Sequence, residues 1–131
     1  MKELTIVEKD RVGLLADVSE TLGGARINIQ TIFADVTRSK QAIIRVMLEQ
    51  RVAKKAAATL RKKGFKVMDS DVIIIRTKDK PGELARVCRL LADNGIGVTN
   101  AFSISRSEGE ALDAISTTDN GKARKLIKDY A

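Results

Sequence analysis

The sequence predicts an α+β chain built from two tandem βαββαβ units, and three observations carry that expectation. First, Asp10-Arg11-Val12-Gly13-Leu14-Leu15-Ala16-Asp17-Val18 is written again as Asp79-Lys80-Pro81-Gly82-Glu83-Leu84-Ala85-Arg86-Val87, 69 positions later. Second, the same offset, without a gap, pairs Leu22 with Leu91, Ile27 with Ile96, Phe33 with Phe102 and Ala42 with Ala111. Matches confined to a turn and to inward positions are what a duplicated structural unit requires. Third, each copy alternates between strand-like period 2 and helix-like period 3.6 in the same order. The copies divide the chain into domains at 1–69 and 70–131.

In the first copy, residues 3–8 alternate as a strand with Leu4 and Ile6 on one face. Lys9 to Gly13 form a turn. A helix follows with Leu15, Val18 and Leu22 at i, i+3 and i+7, and Gly23-Gly24 ends it. Ile27, Ile29, Thr31 and Phe33 continue with period 2, as do Ile44, Val46 and Leu48 beyond the turn at Arg38-Ser39-Lys40, so the two runs read as a hairpin. A second helix spans about 52–63, with Ala53, Ala56, Ala57 and Leu60 inward, and small side chains there let it sit close to a sheet. Gly64 stops it, and 65–68 is a short last strand. Right-handed crossovers place both helices on one face of a four-stranded antiparallel sheet, the ferredoxin-like arrangement.

The second copy starts at Asp71 almost without a linker. Val72 to Ile75 is apolar on both faces, as in a strand covered on both sides. The turn, a helix with Leu84, Val87, Cys88 and Leu91, a hairpin of 98–105 with 111–117, and a helix over 121–130 complete it. The last strand of this copy is missing.

A unit of roughly 65 residues buries only about 60% of its unfolded surface, so each copy needs its neighbour or a second chain. Hydrophobic residues at 44% and charged residues at 31% describe a globular protein. No apolar run reaches the roughly 18 residues of a membrane span, and the first residues enter a strand without the apolar core of a signal peptide. A cytoplasmic location and no membrane contact are expected. Cys88 is the one cysteine and histidine is absent, which excludes an internal disulfide and a cysteine metal cluster and removes the commonest general base and zinc ligand. Cys88 reads as a buried structural thiol on an apolar stripe. No catalysis, cofactor or metal is expected.

The repeated turn can do more than cap a helix. Gly13 and Gly82 lack Cβ, so a ligand can approach the backbone. Pro81 suits a first helical turn. The helix start beyond presents unpaired N–H groups and partial positive charge, which favour a carboxylate. Asp10 and Asp79, just before, can accept from an ammonium group. Together these features suit the two ends of a free amino acid or a related small carboxylate; a turn that only caps the helix is the alternative.

Strand, Asp-Arg/Lys-x-Gly-x-Leu-Ala, helix, Gly-x-Asn-Ile, strand resembles the ACT domain family, small βαββαβ modules that bind amino acids and regulate metabolic enzymes. The resemblance covers essentially the whole chain as a tandem pair. It implies a ligand held at an interface between ACT units by Asp10, Arg11, Val12, Gly13 and Leu14, with Asn28 and Ile29 opening the second strand. In the second copy it implicates Asp79, Lys80, Pro81, Gly82 and Glu83, with Gly97 and Val98 in the place of Asn28 and Ile29. Gly97 departs from the pattern, with Asn100 the nearest replacement, and Glu83 sets a negative charge where a ligand carboxylate would lie. The first site is the better match.

The net charge of +7 is lopsided: 14 basic and 8 acidic side chains in 1–69, against 10 and 9 in 70–131. Much of the excess flanks the second helix, at Arg51, Lys54, Lys55, Arg61, Lys62, Lys63 and Lys66. A basic stripe is also the footprint of phosphate binding. RNA-recognition modules of this strand order need stacking aromatics on their central strands, and residues 4–8 and 43–48 have none. Nucleic acid is therefore not an expected partner. A sensor, or a regulatory subunit docking on a separate metabolic enzyme, remains. Without its last strand the second copy exposes 72–76 as an edge, and an open apolar edge pairs with other chains. A homodimer is expected.

Overall fold

The computed structural model describes residues 1–130; the final residue of the second predicted domain, 131, lies outside them. The chain divides into two compact units, one of Met1–Ser70 and one from Asp71 onward. In the first, β1 (Lys2–Lys9) leads through the turn into α1 (Leu14–Gly24). The hairpin of β2 (Thr31–Val36) and β3 (Gln41–Leu48) follows, then α2 (Gln50–Lys62) and β4 (Val67–Asp71). The sheet order is β2-β3-β1-β4, and β1 runs antiparallel to β3 with Ile6 opposite Ile44. Leu4 and Ile6 on β1 and Ile44, Val46 and Leu48 on β3 form one buried core with Leu14, Val18 and Leu22 of α1 and Ala56, Ala57 and Leu60 of α2. Both helices therefore cover the same sheet face.

The second unit repeats the order with β5 (Ile73–Lys78), α3 (Glu83–Asp93), β6 (Val98–Ser107), β7 (Glu110–Thr117) and α4 (Asn120–Leu126), then a 3-10 turn over Lys128–Tyr130. Its described residues form a three-stranded sheet, β5-β7-β6, which leaves β5 at an edge. Ile75 lies opposite Asp113 as Ile6 lies opposite Ile44, so the 69-residue offset holds in the strand register. Ile73, Ile75 and Ile115 pack with Val87 and Leu91 of α3 and Ala123 and Ile127 of α4. Only Val72 separates β4 from β5, and it is buried. The Asp71 carbonyl accepts from Asn120 Nδ2 at 3.0 Å and Ser116 Oγ at 3.3 Å, and the Val72 carbonyl accepts from Arg124 at 3.4 Å.

Several details differ from the sequence expectation. The inward stripe of α1 is Leu14, Val18 and Leu22, with Leu15 exposed; that of α3 is Glu83, Val87 and Leu91, with Leu84 exposed. Val18 and Leu22 of α1 and Val87 and Leu91 of α3 are buried as expected; the first inward position of each helix lies one residue earlier than expected. Cys88 is half-buried rather than buried. The second strand does not open at Ile27; Asn28 and Ile29 lie in the loop before Thr31, and β2 is an exposed edge strand. The run 72–75 is not a central strand covered on both sides but the edge of its sheet. The last strand of the first unit runs on to Asp71 and stays beside β1.

The helix phase is testable by truncation. Leu22→Ala should cost about 2–5 kcal/mol, the cost of emptying a buried leucine site, whereas Leu15→Ala should stay within about 0.5 kcal/mol. Urea unfolding of the two variants measures the difference.

Candidate functional site

Each strand-to-helix turn hinges on a glycine in the left-handed region, Gly13 at φ 90° and Gly82 at φ 91°. A side chain at such an angle strains the backbone. The glycine is the N-cap of its helix, so Pro81 precedes the cap instead of occupying the first helical turn. No side chain caps α1 or α3. In α1 the Leu14 N–H bonds the Arg11 carbonyl at 3.3 Å and the Asp17 N–H bonds the Gly13 carbonyl at 2.9 Å. The N–H groups of Leu15 and Ala16 between them find no acceptor among the described residues. In α3 the N–H groups of Leu84 and Ala85 are left in the same way. Each helix therefore offers two free donors at its positive end.

In the first unit these donors border a pocket of about 520 Å³. Asp10, Arg11, Gly13 and Leu14 line it. Val12 points away and is fully exposed, and Asn28 and Ile29 do not line it; Ile29 packs against the core. The pocket floor comes from Ala42 and Ile44 of β3, with Ala34 of β2 beside them, and these residues escaped the sequence reading. Arg11 folds back onto α1, its Nη2 donating to Asp17 Oδ2 at 2.6 Å. Asp10 is exposed, and its carboxylate has no partner among the described residues.

The second turn is wired differently. Asp79, Lys80, Pro81, Gly82 and Glu83 line a pocket of about 390 Å³. Arg106 of β6 donates to Asp79 Oδ1 at 2.6 Å, so this aspartate already has a cation. Glu83 is buried against the sheet and held by Lys80 at 3.4 Å and Arg86 at 3.5 Å. Gly97 and Val98 do not line the pocket, and Asn100 lies on β6 away from it. The Gly97 N–H donates to Thr118 Oγ1 at 3.0 Å and its carbonyl accepts from the Thr118 N–H at 2.9 Å. An added Cβ would sit 3.3 Å from Thr118 Cγ2, so a larger residue there requires the Thr118 side chain to shift by a few tenths of an ångström. Thr77 and Asp113, both buried, complete the pocket wall.

The basic stripe is partly occupied within the chain. Lys55 reaches the Ala25 carbonyl at 3.2 Å, Arg61 the Val67 carbonyl at 2.9 Å, and Arg51 pairs with Glu49 at 2.7 Å. The central strands β1 and β3 carry no aromatic side chain; exposed Phe33 is on the edge strand β2. No helix is long and apolar enough to cross a membrane among the described residues.

A family model described as an ACT domain pair matches residues 1–129. Among solved structures, a protein of Bacteroides thetaiotaomicron superposes with a TM-score of 0.85 at 25% identity, covering 98% of this chain and 86% of that one. The ligand-free regulatory subunit of aspartate kinase from Thermus thermophilus superposes at 0.71 with 15% identity, covering 98% and 91%. That from Thermus flavus does so at 0.70 with 15% identity, covering 98% and 90%. No curated protein matches the chain.

The strained turn predicts a sign change between glycines. Gly13→Ala should destabilise the protein by about 1–3 kcal/mol because alanine is strained at φ 90°. Gly23→Ala should stabilise it by roughly 0.5–1 kcal/mol, since Gly23 is helical and a Cβ there meets open space. Thermal denaturation of both variants checks the pair.

Proposed function

The chain belongs to the ACT domain pair family, and we propose that it is a non-catalytic regulatory protein that binds a free amino acid or a related small carboxylate. The observation that carries this reading is the uncapped start of α1, with two free N–H groups beside an apolar-floored pocket. The ligand carboxylate would take the Leu15 and Ala16 N–H groups, where helix charge favours an anion. Its ammonium group would face Asp10, and its side chain would rest on Leu14, Ala42 and Ile44. Asn28 enters the proposal through the family resemblance, reaching the ligand from an adjoining ACT interface.

Ligand at about 100 times its dissociation constant should stabilise the fold by roughly 2.7 kcal/mol. A thermal-shift screen of the twenty amino acids and related acids, at millimolar concentration, tests this; no shift with any of them would remove the reading. Asp10→Asn should weaken binding about tenfold through the lost charge-assisted hydrogen bond. Asn28→Ala should weaken it by about 1–3 kcal/mol if the ligand spans an interface.

Docking on a separate enzyme is favoured by one feature. Leu15, Ile32, Phe33 and Val36 are large, apolar and at least two-fifths exposed around the start of α1 and the edge strand β2. Such surface suits a protein partner. A pull-down from native cytoplasm should lose its partner on Phe33→Glu.

We also propose a homodimer paired through β5. The carbonyls of Asp71 and Val72 are already taken at its start, which leaves the stretch from Ile74 to Lys78 as the open edge. Light scattering at micromolar concentration should give twice 14.3 kDa, and Ile74→Pro should return a monomer by removing an edge donor.

A further inference from the structure

The two turn pockets occupy equivalent places in their units and differ in chemistry at a few positions. Leu14, Ala34 and Ile44 in the first become Glu83, Ser103 and Asp113 in the second, each 69 residues on. Three acids line the pocket at the second turn, and two of them have cationic partners. Asp79 is matched by Arg106 and Glu83 by Lys80 and Arg86. Asp113 is not matched. It is 5% exposed, stands on β7 opposite Ile75 on the helix-covered face, and lines the pocket. Its carboxylate has no hydrogen bond or ion pair with any other described residue. Among the described residues no buried side-chain oxygen or nitrogen is sealed off without a partner, so these oxygens open into the pocket. Lys78 at the exposed rim makes no ion pair with it.

A carboxylate that is nine-tenths buried and unpaired is costly, and a cation supplied from outside removes the cost. We propose that the pocket beneath the start of α3 binds the ammonium group of a small primary amine, with Asp113 as its counter-ion. The Thr77 hydroxyl and the Glu83 carboxylate line the same pocket and would add acceptors to Asp113 for the three N–H donors of an ammonium group. No group of three side chains suited to a metal ion occurs among the described residues, which favours an organic cation. The first unit, with Leu14 and Ile44 in these places, has no such selectivity. The inference rests on the proposed function only for where a ligand enters; it extends that reading to a second pocket with its own chemistry.

Ethylammonium chloride tests it, because this probe lacks the carboxylate on which the first-unit site depends. In ¹H–¹⁵N spectra of the whole chain, amide signals of Thr77, Gly82, Glu83 and Asp113 should shift and saturate, while those of Gly13 and Leu14 stay still. A three-atom ligand binds no tighter than about millimolar, so titration to about 100 mM is needed. Tetramethylammonium chloride and potassium chloride at equal ionic strength, which carry no N–H donor, should leave the four signals unshifted. Asp113→Asn, close in shape and uncharged, should weaken binding about tenfold or more. Thr77→Val should weaken it too and serves if the asparagine variant does not fold. Equal shifts with the control salts, undiminished affinity in the folded variants, or no saturable shift at all would overturn the proposal. A failed amino-acid screen with a saturable ethylammonium response would remove the first-unit reading and leave this one standing.

Discussion

The structure depends on one backbone constraint, a glycine held near φ +90° between the first strand and first helix of each unit. That angle turns the chain sharply enough for the helix to start beside the strand end. It also leaves the cap without a side chain able to bond the first N–H groups. Helix phase follows from it: the residue after the glycine is the first to face the sheet, whether it is Leu14 or Glu83. The same geometry therefore sets the core contact, the free donors and the pocket wall.

Two copies of this constraint carry different electrostatics. In the first unit the charged turn residues lie outside the pocket floor, with Arg11 drawn to Asp17 and the floor made of hydrocarbon. In the second, ion pairs replace hydrocarbon around the helix start, and Glu83 is a buried residue with exposed cations leaning over it. Duplication kept the scaffold positions that set the fold and let the wall positions diverge.

The repeat, the element order, the alanine face of α2 and the inward residues of β1 and β3 were all legible in the sequence, since each follows from local periodicity. The first inward position of α1 was not, because Leu14 and Leu15 are equally apolar and periodicity alone cannot choose between them. Glu83 hid the answer in the second copy, a charged residue standing at an inward position. Asp113 was overlooked for the same reason, although the 69-residue offset already set it against Ile44. Asn28 was placed at a strand opening from the resemblance, whereas the pairing of β2 with β3 begins at Thr31. Strand ends depend on the partner strand, which a local pattern does not contain.

Val72 has a mechanical consequence. With one buried residue between β4 and β5, and with the carbonyls on either side of the bond already engaged, the junction contains none of the slack that a polar tether would provide. A protease needs several consecutive residues in extended, accessible form before it can cut. The segment around Val72 should therefore be a poor site for proteolytic nicking.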